Sequence, residues 1–174
     1  MVKSTKRNLG GIVMVENNEA QKYCGVYAND MHLIVMLIPY IEKELEKGNK
    51  ITTILENSLE EEINLFVNKV TLGKSKKNKI RNIRWNKNLL SDEQIAEIKN
   101  RTILIKGSNE FINNVNNVLN GKNNKIIDCY DIETFEENSS EILEEHRAIL
   151  NTCGVKKIPE IFQVHKRLNS ILTK

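Results

Sequence analysis

Short apolar runs alternate along the chain with longer stretches in which apolar residues recur every three or four positions. Runs of the first kind are typical of buried strands, and spacing of the second kind is typical of helices with one buried face. The apolar runs predict five strands, at residues 23–27, 51–55, 80–85, 102–106 and 125–130.

Helices are predicted between and after these strands. Asp30 is a suitable N-cap for a helix from 31 to about 47, and Ser58 can cap another that begins at 59. The remaining helical stretches are a short one from 91, one at 109–120, one from 139 to about 151, and one at 158–172.

Strands that alternate with helices predict a three-layer α/β fold, in which a mostly parallel five-stranded sheet carries helices on both faces. Residues 21–154 would form this domain. Residues 1–20 are predicted to be a flexible N-terminal extension. Residues 155–174 are predicted to be a C-terminal helix that either packs on the domain or serves association.

In a parallel sheet the binding crevice lies beyond the carboxyl ends of the strands, an edge that we call the rim. Tyr27 and Tyr130 end the first and last predicted strands, so their rings could wall an apolar pocket with the hydroxyl groups facing the crevice. Rim tyrosines without a ligand are equally common. The candidate ligand-binding residues are Tyr27, Asn29, Glu56, Trp85, Asn86, Ser108, Glu110, Tyr130 and Asp131, with His146 approaching from the following helix.

Composition narrows the class of protein. A chain of 174 residues with 40% hydrophobic and 28% charged residues fits one globular domain. The longest apolar run, 33–38, is far shorter than the roughly 18 residues that a membrane helix needs. The basic start of the chain lacks a cleavage-site pattern for secretion, and three cysteines at long spacings fit reduced thiols. We therefore expect a cytoplasmic protein that does not act at a membrane.

Charge is distributed unevenly, although the formal net charge is only +3. Residues 63–91 include many lysines and arginines and no acidic residue, whereas residues 128–145 are rich in carboxylates. The basic segment at 69–87 could contact the phosphates of a nucleic acid. A solvated lysine-rich face is the better interpretation, because Trp85 is the one aromatic ring nearby.

Catalytic motifs are weak. Gly73-Lys74-Ser75 matches the end of a phosphate-binding loop, but Asn68 occupies the position of the first glycine and the tripeptide follows a predicted helix instead of a strand. The three histidines lie far apart in the sequence, and no C-x-x-C pair suggests zinc. No nucleophile can be paired with a base, so we expect neither an enzyme nor a cofactor.

Two cysteines fall on predicted strands. Cys24 and Cys129 lie on strands one and five, which would be neighbours if the sheet followed the common nucleotide-fold order. Packing is the favoured role for such buried thiols, and reactivity would need a nearby cation such as His146.

Two segments together resemble a known family. The first contains Tyr23-Cys24-Gly25-Val26-Tyr27, Pro39-Tyr40-Ile41 and Gly48-Asn49-Lys50; the second contains Cys129-Tyr130-Asp131, Phe135 and Ile142-Leu143-Glu144-Glu145-His146. These segments are similar to the opening and closing signatures of the MEDS domain, the DcmR-type sensory domain of methanogens and methylotrophs. The resemblance covers residues 21–154. Two positions depart from the family pattern: Lys22 replaces a histidine, and Glu133-Thr134 replaces a basic residue before Phe135.

The resemblance implies a RecA/KaiC-like fold without its phosphate loop, and a sensory module that does not catalyse a reaction. The leading hypothesis is accordingly a cytoplasmic regulatory domain that binds a small molecule at the rim and signals through a protein partner. Two alternatives stay open: an interaction module or homodimer acting through the C-terminal helix, and nucleic-acid binding through the basic segment at 69–87.

Overall fold

The computed structural model describes residues 21–88, 90–120 and 122–158. Six strands and six helices lie within these ranges, in an order that alternates between the two types for most of the chain. The strands are β1 (Gln21–Tyr27), β2 (Ile51–Leu55), β3 (Thr102–Lys106), β4 (Lys125–Asp131), β5 (Ala148–Asn151) and β6 (Gly154–Lys157). The helices are α1 (Asp30–Glu46), α2 (Glu60–Lys69), α3 (Lys74–Arg81), α4 (Asp92–Ala96), α5 (Asn109–Leu119) and α6 (Ile132–Glu145).

The strands form one six-stranded sheet in the order β2-β3-β4-β1-β5-β6. All neighbouring pairs are parallel except β5 and β6, which are antiparallel. The prediction of a mostly parallel sheet is confirmed, but the sheet has six strands instead of five. The predicted adjacency of the strands that carry Cys24 and Cys129 is also confirmed, because β1 pairs with β4.

Helices cover both faces of the sheet, as the three-layer prediction requires. One apolar cluster joins the sheet to α1, α2 and α3, through residues such as Leu33, Ile63 and Ile80. A second cluster joins the opposite side to α4, α5 and α6, through residues such as Ile112 and Ile142. We call these sides the first face and the second face. Side chains alternate between the faces along each strand, so neighbouring residues of one strand enter different clusters.

The predicted strand at 80–85 is wrong. Residues 74–81 form α3, and the chain then runs without regular structure along the open side of β2. The side chain of Asn88 takes the place of a neighbouring strand there: Oδ1 accepts the Leu55 N–H at 2.7 Å, and Nδ2 donates to the Thr53 carbonyl at 2.5 Å. Ile80 and Trp85 are buried as the pattern suggested, but as parts of a helix and a loop that cover the first face.

The predicted helix from 139 to about 151 is also misplaced. Asp131 caps a helix that begins at Ile132 and ends at Glu145, with non-helical backbone at Asn138. The short apolar stretch that follows forms β5 and pairs with β1. This stretch is only four residues long, and its apolar residues continue the spacing of the preceding helix. The sequence pattern therefore did not separate the strand from that helix.

The predicted domain limits fall partly outside the described residues. The predicted extension at 1–20 and most of the predicted C-terminal helix lie outside them. Gly154–Lys157, which the predicted limit divides between the domain and the C-terminal helix, is a strand that pairs with β5 in the sheet. Within the described part of the chain no helix has the length and apolar character that a membrane span requires.

Candidate ligand-binding rim

Lys106 lies at the centre of the polar groups at the rim. It is the last residue of β3, and its side chain is 7% exposed. The register places it beside Leu55 and Cys129 on the first face, the same face that Tyr27 occupies. The Lys106 Nζ lies 3.2 Å from the Asp30 carboxylate and 5.6 Å from the centre of the Tyr27 ring. A nearly buried ammonium is therefore held between a carboxylate and an aromatic face.

Glu56 and Ser108 form the next part of the rim. The Ser108 N–H donates to the Glu56 carboxylate at 2.6 Å, and the Ser108 hydroxyl lies 3.4 Å from the other carboxylate oxygen. Gly107 makes this approach possible, because a Cβ there would stand 2.7 Å from a Glu56 carboxylate oxygen and 2.5 Å from the Phe111 ring. The turn after β3 is thus built to hold the Glu56 side chain close to the backbone.

Three helices begin at the rim, and each is capped by its own sequence. The Asn29 side chain accepts the His32 N–H, the Ser108 hydroxyl accepts the Phe111 N–H, and the Asp131 carboxylate accepts the Thr134 N–H. The N-terminal ends of helices carry partial positive charge, which stabilises the rim carboxylates that stand beside them. The predicted cap of the first helix at Asp30 is off by one residue, since Asn29 performs this role.

The Tyr27 hydroxyl lies among these groups and stays protonated. Burial raises the pKa of the Tyr27 phenol above its usual value, and the negative charges of Asp30, Asp131 and Glu56 raise it further. A neutral phenol both donates and accepts hydrogen bonds, so it can bind a polar ligand, but it cannot act as a base near neutral pH.

The rim therefore unites five of the predicted site residues with two that were not predicted. Asn29, Glu56, Ser108 and Asp131 follow strands or cap helices at this edge, as expected, and Tyr27 is buried beside them. The two additional residues are Lys106 and Asp30. A lysine that ends an otherwise apolar strand was the available signal for the first of these. Glu110, also predicted, is exposed on the first turn of α5.

Tyr130 does not share a pocket with Tyr27, which corrects the predicted pair. The β1–β4 register aligns Tyr130 with Val26 and Tyr27 with Asp131. Because side chains alternate along a strand, Tyr130 enters the second face and Tyr27 the first. Both rings are almost fully buried. The two tyrosines therefore lie on opposite sides of the sheet.

His146 is likewise not a rim residue. Its Nε2 lies 2.9 Å from the Asp128 carboxylate, and its ring meets the Tyr130 ring edge-on with 6.0 Å between the centres. Asn116 donates to the same Asp128 oxygen at 2.8 Å, and the Lys22 ammonium lies 3.5 Å away. His146 belongs to a buried polar cluster on the second face, at the amino end of β5.

Trp85 and Asn86 were expected at the end of a strand that does not exist. The Trp85 ring is buried in the first-face cluster, and its Nε1–H donates to the Ile80 carbonyl at 2.7 Å. Asn86 is exposed in the loop beside it. Among the described residues neither side chain forms a hydrogen bond or ion pair with Lys106 or Glu56, and the Trp85 carbonyl instead accepts the Leu59 N–H after β2.

The buried cysteines have the character of packing residues. Burial raises the pKa of Cys24 to about 12, and the negative charge of Asp128 contributes to the shift. Burial also raises the pKa of Cys129. The two thiols enter opposite faces of the sheet, so they cannot form a disulfide with each other. Asp128, the carboxylate that lies 2.9 Å from the His146 Nε2, raises the pKa of Cys24 and so opposes formation of a reactive thiolate.

Gly73-Lys74-Ser75 begins α3 and follows α2, so it does not connect a strand to a helix as a phosphate-binding loop does. In the described ranges no group of three histidine, cysteine or acidic side chains is arranged to hold a metal ion.

The chain matches no family model, no curated protein and no solved structure with which it was compared. The geometry of its own residues therefore carries the functional interpretation.

Proposed function

We propose that this protein is a non-enzymatic cytoplasmic regulatory domain that binds a small polar molecule at the rim and signals through a protein partner. The single observation that carries the proposal is the position of Lys106: its side chain is 7% exposed, and its ammonium is paired with Asp30 and placed over Tyr27 at the carboxyl edge of a parallel sheet. This edge is where open α/β sheets bind their ligands.

The rim presents hydrogen-bonding groups of both kinds. Lys106 and the backbone at Ser108 supply donors, and the carboxylates of Asp30 and Glu56 supply acceptors. Tyr27 can act in either role. A ligand with both a donor and an acceptor suits this set better than a simple anion, because the carboxylates outnumber the ammonium.

Arrangement of the sheet supports the sensory family resemblance. The two segments that carry it form adjacent strands, with Cys24 opposite Asp128 and Val26 opposite Tyr130. The connection from β1 to α1 consists of Ala28 and Asn29, which is too short for the eight-residue phosphate-binding loop. A RecA/KaiC-like fold that has lost this loop, and with it nucleotide hydrolysis, is the interpretation that we favour.

The burial of Trp85 weighs against the nucleic-acid alternative. A protein that binds single strands stacks bases on exposed aromatic rings, and the ring next to the basic segment is enclosed in the first-face cluster. The other alternative, association through the C-terminal helix, depends on residues outside the described ranges.

A screen of metabolites by melting temperature tests the proposal. A compound present at one hundred times its dissociation constant should raise the melting temperature by roughly 5–10 °C. The Lys106→Met variant, which keeps the aliphatic stem, should lose this rise, whereas Lys43→Met, on an exposed lysine in the last turn of α1 and so at the end of that helix away from the rim, should keep it. The proposal is wrong if no compound stabilises the protein, or if both variants respond as the natural chain does.

A further inference from the structure

A second candidate site lies at the far edge of the sheet, beside β2. A groove of about 700 Å³ opens there between α3 and α4. Four basic side chains line it, Lys50, Lys79, Arg84 and Arg101, against one acidic side chain, Glu97. We call this surface the basic groove. In the described ranges none of these four basic side chains forms an ion pair with a carboxylate. Lys76, which lies on α3 with Lys79, pairs with the two carboxylates of Glu42 and Glu46.

The floor of the basic groove is an open strand edge. The backbone groups of Lys50 and Glu56 bond to β3, through Thr102 and Lys106. Because alternate residues of a strand face its two neighbours, the backbone groups of Ile51, Thr53 and Leu55 point away from β3.

Asn88 provides hydrogen-bond partners for only some of the backbone groups on this edge. It bonds to the N–H and carbonyl of Leu55 and to the carbonyl of Thr53. The N–H and carbonyl of Ile51 and the N–H of Thr53 have no partner among the described residues outside β2 and β3, and both residues line the groove. Thr53 is only 2% exposed and its hydroxyl donates to the Arg84 carbonyl, so the open part of the edge is at Ile51, whose N–H and carbonyl face the groove, and Thr53 marks its inner end.

An exposed strand edge is a template for another extended chain. A second copy of this protein on the same edge would bring four cations against four cations, so the charges oppose self-association there. The same charges favour an acidic partner. Cations stand on both sides of the edge, because Lys79 belongs to α3 on the first face and Arg101 bonds to Thr52, whose side chain lies on the second face side.

We propose that the basic groove binds an extended acidic peptide segment of a partner protein, which adds to the sheet as a strand beside β2. The peptide would bond to the N–H and carbonyl of Ile51 through its backbone and to the surrounding cations through its carboxylates, and its end would lie against Thr53. This site is separate from the rim, at the opposite end of β2 from Glu56, so its test does not depend on the rim ligand. A nucleic acid is less suited to the groove, because no aromatic side chain lines it.

The test is titration of the full chain, labelled with ¹⁵N, with capped hexapeptides. The probe alternates glutamate with valine, so glutamates meet cations in either orientation of the strand. The amide signals of Ile51 and Thr53 should shift in a saturable way. A peptide with lysine in place of glutamate should leave them unmoved, and so should a glutamate peptide with N-methyl groups on alternate residues, which cannot complete the backbone bonds.

A matched pair of double variants separates the groove from general charge. Lys79→Glu with Arg84→Glu should weaken binding of the glutamate peptide about tenfold or more. Lys74→Glu with Lys87→Glu makes the same change in net charge on exposed residues that do not line the groove, and should keep the affinity within about threefold. Melting curves report whether each variant is folded; if the reversed pair unfolds, Lys79→Gln with Arg84→Gln replaces it.

Three results would overturn the proposal. The first is that the Ile51 and Thr53 amides stay unmoved at millimolar glutamate peptide. The second is that the N-methylated peptide binds equally well, which would mean that charge alone acts. The third is that a six-nucleotide oligo-thymidine binds more tightly than the peptide and shifts the same amides, which would assign the groove to nucleic acid.

Discussion

Gly107 is the residue at which the smallest chemical change should disturb the rim most. An added Cβ would stand 2.5 Å from Cδ1 of Phe111 and 2.9 Å from Cβ of Glu56. Neither atom is the free end of a flexible chain, so a substitution must move the α5 helix or the Glu56 backbone. The hydrogen bond from the Ser108 N–H to Glu56 depends on the same approach.

We therefore predict that Gly107→Ala lowers the free energy of unfolding by about 1–3 kcal/mol, the range for overpacked sites. Gly73→Ala is the matched control, because nothing lies within 4 Å of its added Cβ and its φ is −57°. That control should change stability by less than about 0.5 kcal/mol. Urea denaturation measures both, and equal losses in the two variants would contradict the described packing.

At the residue scale, the sequence predicted which residues lie at the rim better than it predicted which face of the sheet their side chains enter. Asn29, Glu56 and Ser108 reach the rim because each stands one or two residues beyond a strand end. The face that a side chain enters depends on register, which an apolar run of five or six residues does not specify. That is why Tyr27 and Tyr130 were expected together and lie on opposite faces.

At the element scale, the edge of β2 depends on one amide. Asn88 is 5% exposed and bonds to the backbone of both Thr53 and Leu55. If its side chain is removed, the Leu55 N–H and the Thr53 carbonyl are left buried without partners. Buried polar groups that lose their partners each cost about 1–3 kcal/mol.

Asn88→Ala should accordingly destabilise the protein by about 2–4 kcal/mol, whereas Asn86→Ala, two residues away and exposed, should have an effect below about 0.5 kcal/mol. Chemical denaturation compares the two. A small effect of Asn88→Ala would mean that solvent reaches these backbone groups, and that the covered part of the edge is as open as the basic groove.

Strand prediction succeeded where an apolar run was long and failed where it was ambiguous. β2 and β3 have the predicted limits, and β1 and β4 differ from them by one or two residues. The run at 80–85 contains apolar residues separated by polar ones, a pattern that fits one turn of a helix followed by a buried loop equally well. Packing of Ile80 and Trp85 against the first face stabilises the helix and the buried loop in place of a strand.

At the scale of the whole molecule, the edge of the sheet opposite the rim is fixed by a buried carboxylate, Glu44, in the last part of α1. It is 1% exposed and accepts hydrogen bonds from Thr102, Lys125, Asn49 and Lys47. Burial alone would raise the pKa of Glu44, but the bonds from Lys125, Asn49 and Lys47 outweigh it and lower the pKa from 4.5 to about 2.

This shift predicts a dependence of stability on pH. Because the pKa of Glu44 is lower in the folded state, its stabilisation is complete above pH 4.5 and is lost as the pH falls towards 2. The loss amounts to about 3 kcal/mol. In a Glu44→Gln variant this part of the acid dependence should be absent, so the stability difference between the variant and the natural chain should shrink between pH 5 and pH 2. A constant difference over that range would contradict the ion-paired role of Glu44.

The general class of fold followed from the alternation of elements, because parallel strands require helical crossovers. The fifth and sixth strands did not follow, since four-residue strands at the end of a sheet carry too little pattern. The position of Lys106 at the centre of the rim could not be predicted from the sequence. It depends on the side chains of Lys106 in β3 and Tyr27 in β1 lying on the same face of the sheet, which brings the Lys106 ammonium over the Tyr27 ring.

The most direct test of the rim as a ligand site is the NMR spectrum of the protein with ¹³C-labelled tyrosine rings, recorded with the compound that raises the melting temperature most. Of the four tyrosines, only Tyr27 stands beside Lys106, and Tyr130 lies buried on the other face as an internal control. The account predicts that the Tyr27 ring signal moves on binding while the Tyr130 signal keeps its position. A stationary Tyr27 signal at saturating compound, or a larger shift at Tyr130, would contradict it.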